Sequence, residues 1–308
     1  MKSRWAVCGT GRMADKFCNV LIELGKDVTA VISADKKRAE MFGKKKNISN
    51  FYSYEDINFE KFDIVYVATV NKRHKPDSLL FLNNGKSVLC EKPIAVTLDE
   101  LNIMQQAAQK NDVLLMEAVW TAFLPAIEKV KELIQNGAIG KAVHLDSRFC
   151  IEAFDPNSRI YDNCGGGALL DIGIYNLYFA KWVLGDFKEI KALYEYDQAG
   201  IDITDNLIIK NSQGVTASLV SSVRTKAPTN AVIYGEKGKI TVPLFYGASE
   251  VVLENSEGIK TFLFPHKING YEYEIEHFEQ LHIQGKRQSD VISIKDSYEI
   301  LKIMQNKV

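Results

Sequence analysis

No run in this sequence approaches the ~18 consecutive apolar residues of a membrane-spanning helix, so no transmembrane segment is expected. The amino-terminal residues lack a basic start, a long apolar middle and a small-residue cleavage site, so no secretory signal is expected either. Charge of one sign is not in excess. The 38 Lys and Arg face 39 Asp and Glu, for a formal net charge of −1. Without a basic surplus to neutralise phosphates, nucleic acid is not an expected partner. The run Lys44-Lys45-Lys46 reads as the solvated end of a helix. Only five cysteines occur, Cys8, Cys18, Cys90, Cys150 and Cys164, without Cys-x-x-Cys spacing. That pattern supports neither a disulfide framework nor a zinc site, and it fits the cytoplasm. The histidines, His74, His144, His266, His277 and His282, show no ligand-like spacing, and no metal is expected.

What is present is an ordinary globular composition, 46% hydrophobic and 25% charged over 308 residues. That length exceeds what one core usually supports, and two domains are expected, 1–120 and 121–308, with the final helix able to pack back on the first. In the first, β-rich runs at 4–8, 28–32, 64–68, 87–90 and 113–116 alternate with helical patterns at 13–24, 36–42, 75–84 and 98–109. Alternation of this kind is the signature of parallel βαβ units. After Pro125 the pattern changes to a helix to 135, a strand at 143–150 and a helix at 168–184. Short runs follow at 190–196, 206–210, 215–222, 231–234, 239–242, 251–253 and 261–264, then closing helices at 273–284 and 296–305. Connections too short for crossover helices make this second sheet mostly antiparallel. The expected fold is therefore an α/β domain with a parallel sheet, followed by an α+β domain with a large, open, mostly antiparallel sheet. One face of that sheet, carrying Leu219, Val232 and Tyr234, is expected to pair with a second copy in a homodimer.

Gly9-Thr10-Gly11-Arg12-Met13-Ala14 follows the first strand and opens the first helix. This is a G-x-G-x-x-A turn. Gly9 permits the tight bend, Gly11 lets backbone approach a pyrophosphate, and Ala14 lets helix and strand pack closely. The helix amino terminus offers N–H groups to the phosphates. Strand, helix and βαβ context make this a Rossmann dinucleotide site. An NAD-selective site usually places Asp or Glu at the end of the second strand. Ser33 stands there instead, followed by Lys36, Lys37 and Arg38, a combination that suits the 2′-phosphate of NADP, with NAD as the alternative. The competing reading of those cations is a basic first turn of a surface helix capped by Asp35.

Glu91-Lys92-Pro93 sits directly after the strand at 87–90. Ligands of open α/β sheets bind outside the carboxyl ends of the strands, which puts Lys92 where the nicotinamide should lie. A second element is Gly165-Gly166-Gly167, which opens a helix carrying Asp171 and Tyr175 four residues apart, on one face. Together these motifs resemble the glucose–fructose oxidoreductase, inositol dehydrogenase and MocA family, and the resemblance runs from the first strand to the last helix. Glu117-Ala118-Val119-Trp120-Thr121, Phe123, Pro125 and the ending Asp171-Ile172-Gly173-Ile174-Tyr175 resemble its dihydrodiol and D-xylose dehydrogenase branch. The resemblance implies that Lys92 polarises the substrate oxygen, Tyr175 exchanges its proton, and Asp171 binds a neighbouring hydroxyl. It also implies that Ala68, Thr69, Asn71, His74 and Glu91 line the nicotinamide side, with Trp120 as a wall. The branch usually has arginine after Trp-Thr, where Ala122 stands here. Arg148 and Phe154 are further candidates for substrate contact, and Arg148 and Arg159 read equally well as structural ion-pair partners.

The resemblance implies hydride transfer between NADP and a CH–OH carbon of a sugar, polyol or trans-dihydrodiol. Such a reaction needs a base for the hydroxyl proton. A free phenol, with a pKa of ~10, is too weak near neutrality, and a neighbouring ammonium or oxidised nicotinamide favours its phenolate. Two other readings remain: a non-catalytic NADP-binding sensor or scaffold, and an enzyme that oxidises a sugar transiently to allow bond cleavage.

Overall fold

The computed structural model describes residues 3–306 except 154, 156–157 and 163–164. The chain divides into two compact units, one of Met1–Trp120 with Lys267–Leu301, the other of Thr121–His266 with Lys302–Val308.

In the first unit, six parallel strands run in the order β3-β2-β1-β4-β5-β6. They are β1 (Arg4–Cys8), β2 (Asp27–Ile32), β3 (Asn50–Tyr52), β4 (Ile64–Val67), β5 (Ser87–Glu91) and β6 (Leu115–Ala118). The helices between them are α1 (Arg12–Glu23), α2 (Lys36–Lys45), α3 (His74–Leu82) and α4 (Leu98–Lys110). β4, β5 and β6 are buried throughout, which explains their nearly unbroken apolar spelling. Strand order reverses between β1 and β4, and this switch point is where ligands of such sheets bind. β3 was not expected from the sequence. It is a three-residue edge strand of intermediate burial, too short to show a period. β6 lies two residues later than expected, because Glu117 is a buried strand residue and not the start of a loop.

α7 (Glu272–Ile283) returns from the far end of the sequence to pack in this unit. Its Phe278 meets the Trp5 ring at 5.9 Å, and its Glu279 accepts the Trp5 indole N–H at 3.1 Å and pairs with Lys26. α8 (Ile294–Asn306) closes the described chain.

The second unit is built on an eight-stranded sheet. Its strands are β7 (Ala142–Cys150), β8 (Glu189–Tyr196), β9 (Asp202–Lys210), β10 (Thr216–Ser222), β11 (Asn230–Gly235), β12 (Gly238–Pro243), β13 (Glu250–Asn255) and β14 (Gly258–Leu263). The order is β14-β13-β12-β11-β7-β10-β9-β8, antiparallel except for the β7–β10 pair. α5 (Pro125–Gln135) packs on β13, and α6 (Ile174–Leu184) packs on β7 and β10. The inner face is apolar: Leu145, Leu207, Ile209, Ala217 and Leu219 are all buried.

Leu219 therefore does not belong to the outer face where the sequence reading put it. It pairs with Leu207 and Ser147 on the helix side, while Val232 and Tyr234 alternate to the outer side. The helix expected at 168–184 is also not regular. Leu169–Gly173 form a π turn ahead of α6.

Candidate active site

The candidate residues fall into two groups, one in each unit. In the first unit the glycine turn is shaped by close approach. Gly9 has φ +118°, and a Cβ there would overlap the Ala68 carbonyl just after β4, so no other residue fits the turn from β1 to α1. Its N–H continues the sheet by donating to the Ile32 carbonyl at 2.8 Å. Gly11 is the N-cap of α1 and has no side-chain cap, so the helix amino terminus keeps its amide donors for a ligand. Nothing lies within 4 Å of where a Gly11 Cβ would stand, while Ala14 is fully buried. This donor set fits a dinucleotide pyrophosphate. Arg12 and Met13 open the helix from this turn.

Beside the turn lies a cavity of about 370 Å³ lined by Thr10, Gly11, Arg38, Met41, Phe42 and Lys45. Ser33 is buried at the end of β2. Asp35 caps α2 by accepting the Lys37 and Arg38 N–H groups at 2.8 and 3.4 Å, so the capping reading and the cationic one hold together. Lys36 is committed to Asp56, and Lys37 is exposed and does not line the cavity. The sequence reading took Lys45 as part of a solvated helix end, whereas it lines this cavity. Residues 38, 41, 42 and 45 are spaced for one helix face, so periodicity carried that signal.

The segment after β5 is held from several sides. Lys92 is 7% exposed. Glu91 accepts the Tyr66 hydroxyl through Oε1 and the Lys92 backbone N–H through Oε2 at 3.2 Å. On β6, Glu117 accepts the Ile94 N–H at 2.9 Å. His74 is buried, with one ring nitrogen 2.7 Å from the Pro93 carbonyl and the other 3.2 Å from that of Thr69. Burial pushes its imidazole down from the ordinary value. His74 thus ties the turn after β4 to the turn after β5, and the Thr69 hydroxyl is itself bonded to Asp77 at 2.8 Å. Asn71 begins a short 3₁₀ turn that leads into α3. Trp120 stacks on Tyr271 with ring centroids 4.6 Å apart. No local pattern near Trp120 announces Tyr271, which is 151 residues away.

In the second unit, Asp171 lies in the π turn and Tyr175 at the second residue of α6, both largely buried. π turns recur at functional sites because the widened turn re-aims side chains. Gly167 has φ +106°, and a Cβ there would run into the Asp202 carboxylate, which accepts the Leu169 N–H at 2.8 Å. The rotation of α6 is set by Asn176, which accepts the Ser147 hydroxyl at 2.6 Å and donates to Ser221 and the Val220 carbonyl. Tyr175 is thereby aimed at Phe149 and Tyr246, with centroids 5.9 and 5.8 Å away. Arg159 pairs with Asp171 at 2.7 Å. Arg148 is not brought to this cluster. It neighbours Phe149 on β7 and so projects from the opposite, exposed face of the sheet. Phe154 lies outside the described residues. Ala122, which stands where the similar branch has arginine, is fully buried in the 3₁₀ turn at Trp120–Phe123.

Among the described residues no group of three or more His, Cys, Asp and Glu is arranged to hold a metal ion. No helix among them is long and apolar enough to cross a membrane.

A parallel sheet with a glycine turn at its switch point is the architecture of a dinucleotide-binding domain, and comparison with known proteins adds the class, an oxidoreductase. Residues 3–119 match the oxidoreductase family with an NAD-binding Rossmann fold, and residues 127–241 match the GFO/IDH/MocA C-terminal domain. The chain belongs to this family of dehydrogenases. It is 33% identical to the trans-1,2-dihydrobenzene-1,2-diol dehydrogenase of Xenopus laevis, over 99% of this chain and 96% of the relative. It is 30% identical to a scyllo-inositol 2-dehydrogenase (NADP(+)) of Bacillus subtilis, over 98% of this chain and 95% of the relative. An aldose–aldose oxidoreductase from Caulobacter crescentus shares the fold with a TM-score of 0.91 at 23% identity, covering 99% of this chain and 96% of that one.

Proposed function

We propose that this chain is a cytoplasmic NADP-dependent dehydrogenase acting on a CH–OH carbon of a sugar, polyol or trans-dihydrodiol, and working as a homodimer. The observation that carries the reading is Lys92. It is a buried lysine directly after the carboxyl end of β5, in the same unit as the glycine turn and the Arg38–Lys45 cavity. The two relatives just described act on a diol and on an inositol, which supports the substrate class. The four described cysteines are free and buried, in keeping with a reducing compartment.

In this reading, Gly9, Thr10, Gly11, Arg12 and Met13 hold the pyrophosphate, and Ser33, Arg38 and Lys45 hold the 2′-phosphate. Ala68, Thr69, Asn71 and Trp120 border the nicotinamide, which when bound supplies the hydride acceptor. Lys92 donates a hydrogen bond to the substrate oxygen and stabilises the charge that develops there. Tyr175 takes the hydroxyl proton, and Asp171, steadied by Arg159, accepts a hydrogen bond from a neighbouring hydroxyl. General acid–base assistance of this kind is worth about 10²–10⁴ in rate.

Tyr175→Phe tests it, since the ring and its packing on Phe149 and Tyr246 remain while the ionisable atom goes. With NADP and a panel of pentoses, inositols and dihydrodiols, turnover should drop about 10²–10⁴-fold while NADP affinity holds. Tyr175→His should recover part of the rate and move the alkaline requirement for oxidation downward. Imidazolium loses its proton near ~6.5 and phenol near ~10. Full turnover in Tyr175→Phe would leave Tyr175 a wall residue.

A further inference from the structure

The turn after β4 is held by a chain of contacts in which a buried carboxylate stands at the centre. Thr69 lies against the glycine turn, its backbone nitrogen 3.4 Å from where a Gly9 Cβ would stand. The Thr69 hydroxyl donates to Asp77 Oδ2 at 2.8 Å. Asp77 belongs to the first turn of α3 and is 1% exposed. Its Oδ1 accepts from the Arg73 guanidinium at 2.5 Å. Arg73 in turn lies over the Tyr54 ring, 4.9 Å from its centroid. The Tyr54 hydroxyl is 3.8 Å from the sulfur of Cys8, the last residue of β1. These contacts tie the ends of β1 and β4 and the loop after β3 together at the switch point.

The chain of contacts fixes a polarity. A threonine hydroxyl has one proton and two lone pairs, and a carboxylate only accepts. With Arg73 as its cation, Asp77 takes the single proton of Thr69. What Thr69 Oγ1 keeps for a ligand is lone pairs alone. The phosphates of a dinucleotide are acceptors and cannot meet it, whereas ribose hydroxyls and a carboxamide NH₂ are donors and can. We propose that Asp77, held by Arg73, is a positioning residue that makes Thr69 a dedicated acceptor for a donor of the nicotinamide nucleoside, a ribose hydroxyl or the carboxamide. This rests on the reading that Thr69 borders the nicotinamide.

An acid in the first turn of a helix is ordinary as a partner for the helix dipole, and an i,i+4 pair with a cation is ordinary on a helix surface. Neither task needs the carboxylate to be buried or to take a threonine proton. Burial of a charge is costly unless its partners are well placed. What the buried placement adds here is a fixed direction for the Thr69 hydroxyl. An uncommitted hydroxyl turns either way, and ordering it on binding would weaken the cofactor's hold.

Isothermal titration of NADP into the nucleotide-free chain tests this. Thr69→Val keeps the shape and removes the acceptor, and should weaken NADP roughly three- to tenfold, the loss of one neutral hydrogen bond. Thr69→Ser keeps the hydroxyl and should bind within about twofold of wild type. Asp77→Asn gives Arg73 the amide oxygen and turns the amide NH₂ to Thr69, whose own proton then faces the cleft. It should weaken NADP as much as Thr69→Val does. Added to Thr69→Val, it should change affinity by less than about twofold, where a merely structural acid would add its own loss. Arg73→Gln combined with Asp77→Asn exchanges both charges for amides, and should repeat this pattern where urea denaturation finds the single variant unstable. The 3-acetylpyridine analogue of NADP lacks the carboxamide NH₂ and identifies the donor. With a carboxamide donor, Thr69→Val loses nothing toward the analogue; with a ribose donor, it loses as much as toward NADP. The proposal is overturned if Asp77→Asn binds NADP like wild type while Thr69→Val does not, or if the two losses add. Unchanged NADP binding in Thr69→Val would overturn it differently, by removing Thr69 from the nicotinamide side of the proposed function.

Discussion

NAD and NADP differ by one phosphate on a ribose oxygen, so selectivity between them comes down to a few side chains. Arg38 and Lys45 both line the cavity beside the glycine turn, but they are placed differently. Lys45 lies 3.1 Å from Asp15, whose carboxyl is held below its ordinary range by hydrogen bonds from Lys46 and Lys45. Arg38 is exposed and carries the planar fork that suits a phosphate. Arg38→Ala should weaken NADP by about 10–100-fold, the equivalent of one charge-assisted hydrogen bond, and leave NAD binding unchanged. Ser33→Asp should invert the preference, by repelling the phosphate and bonding the free ribose hydroxyl. Isothermal titration of both nucleotides checks this, and equal wild-type affinities would end the NADP assignment. Ser33 and Arg38 were legible because a strand end and a helix start are local signals. Tyr271 was not, because the return of α7 to the first unit has no signature within a short window of sequence.

At the scale of elements, helix and strand existence followed from periodicity, and most boundaries fell within a few residues of expectation. The exceptions lie where tertiary contacts overrule local pattern. β9 begins at Asp202, four residues before the expected start, because two aspartates inside a strand read as a turn. Asp202 is buried there as the acceptor for the Leu169 N–H, at the entrance to the π turn that carries Asp171. Removing that acceptor in Asp202→Ala should cost about 1–2 kcal/mol, as loss of a helix cap does. Gly167→Ala should cost more. Its Cβ meets the same carboxylate, and the backbone sits at φ +106°. Urea denaturation measures both, and turnover should fall with them because the turn aims Asp171. A Gly167→Ala variant within a few tenths of a kcal/mol of wild type would show that the turn tolerates a side chain.

For the molecule as a whole, the open sheet face of the second unit poses the remaining question. The strand periods were readable, but their phase was not, which is why Leu219 was assigned to the wrong side. Phase depends on which neighbour a strand pairs with, and β10 pairs with β7 and β9 only in three dimensions. The outward side now has definite members. Leu193 on β8 is 78% exposed and Ile208 on β9 is 60% exposed, and Val232, Tyr234, Ile259 and Leu263 extend the face across the sheet. Apolar side chains spread over a flat sheet mark an association surface more often than a free one. A second copy meeting this face would bury it with two-fold symmetry. Light scattering at micromolar concentration should give twice the chain mass. Leu193→Lys combined with Ile208→Lys should give the single chain with an unchanged circular dichroism spectrum, since both residues point away from the core. A monomeric wild type would remove the dimer from the proposed function. A dimer that survives the double substitution would place its interface on another surface.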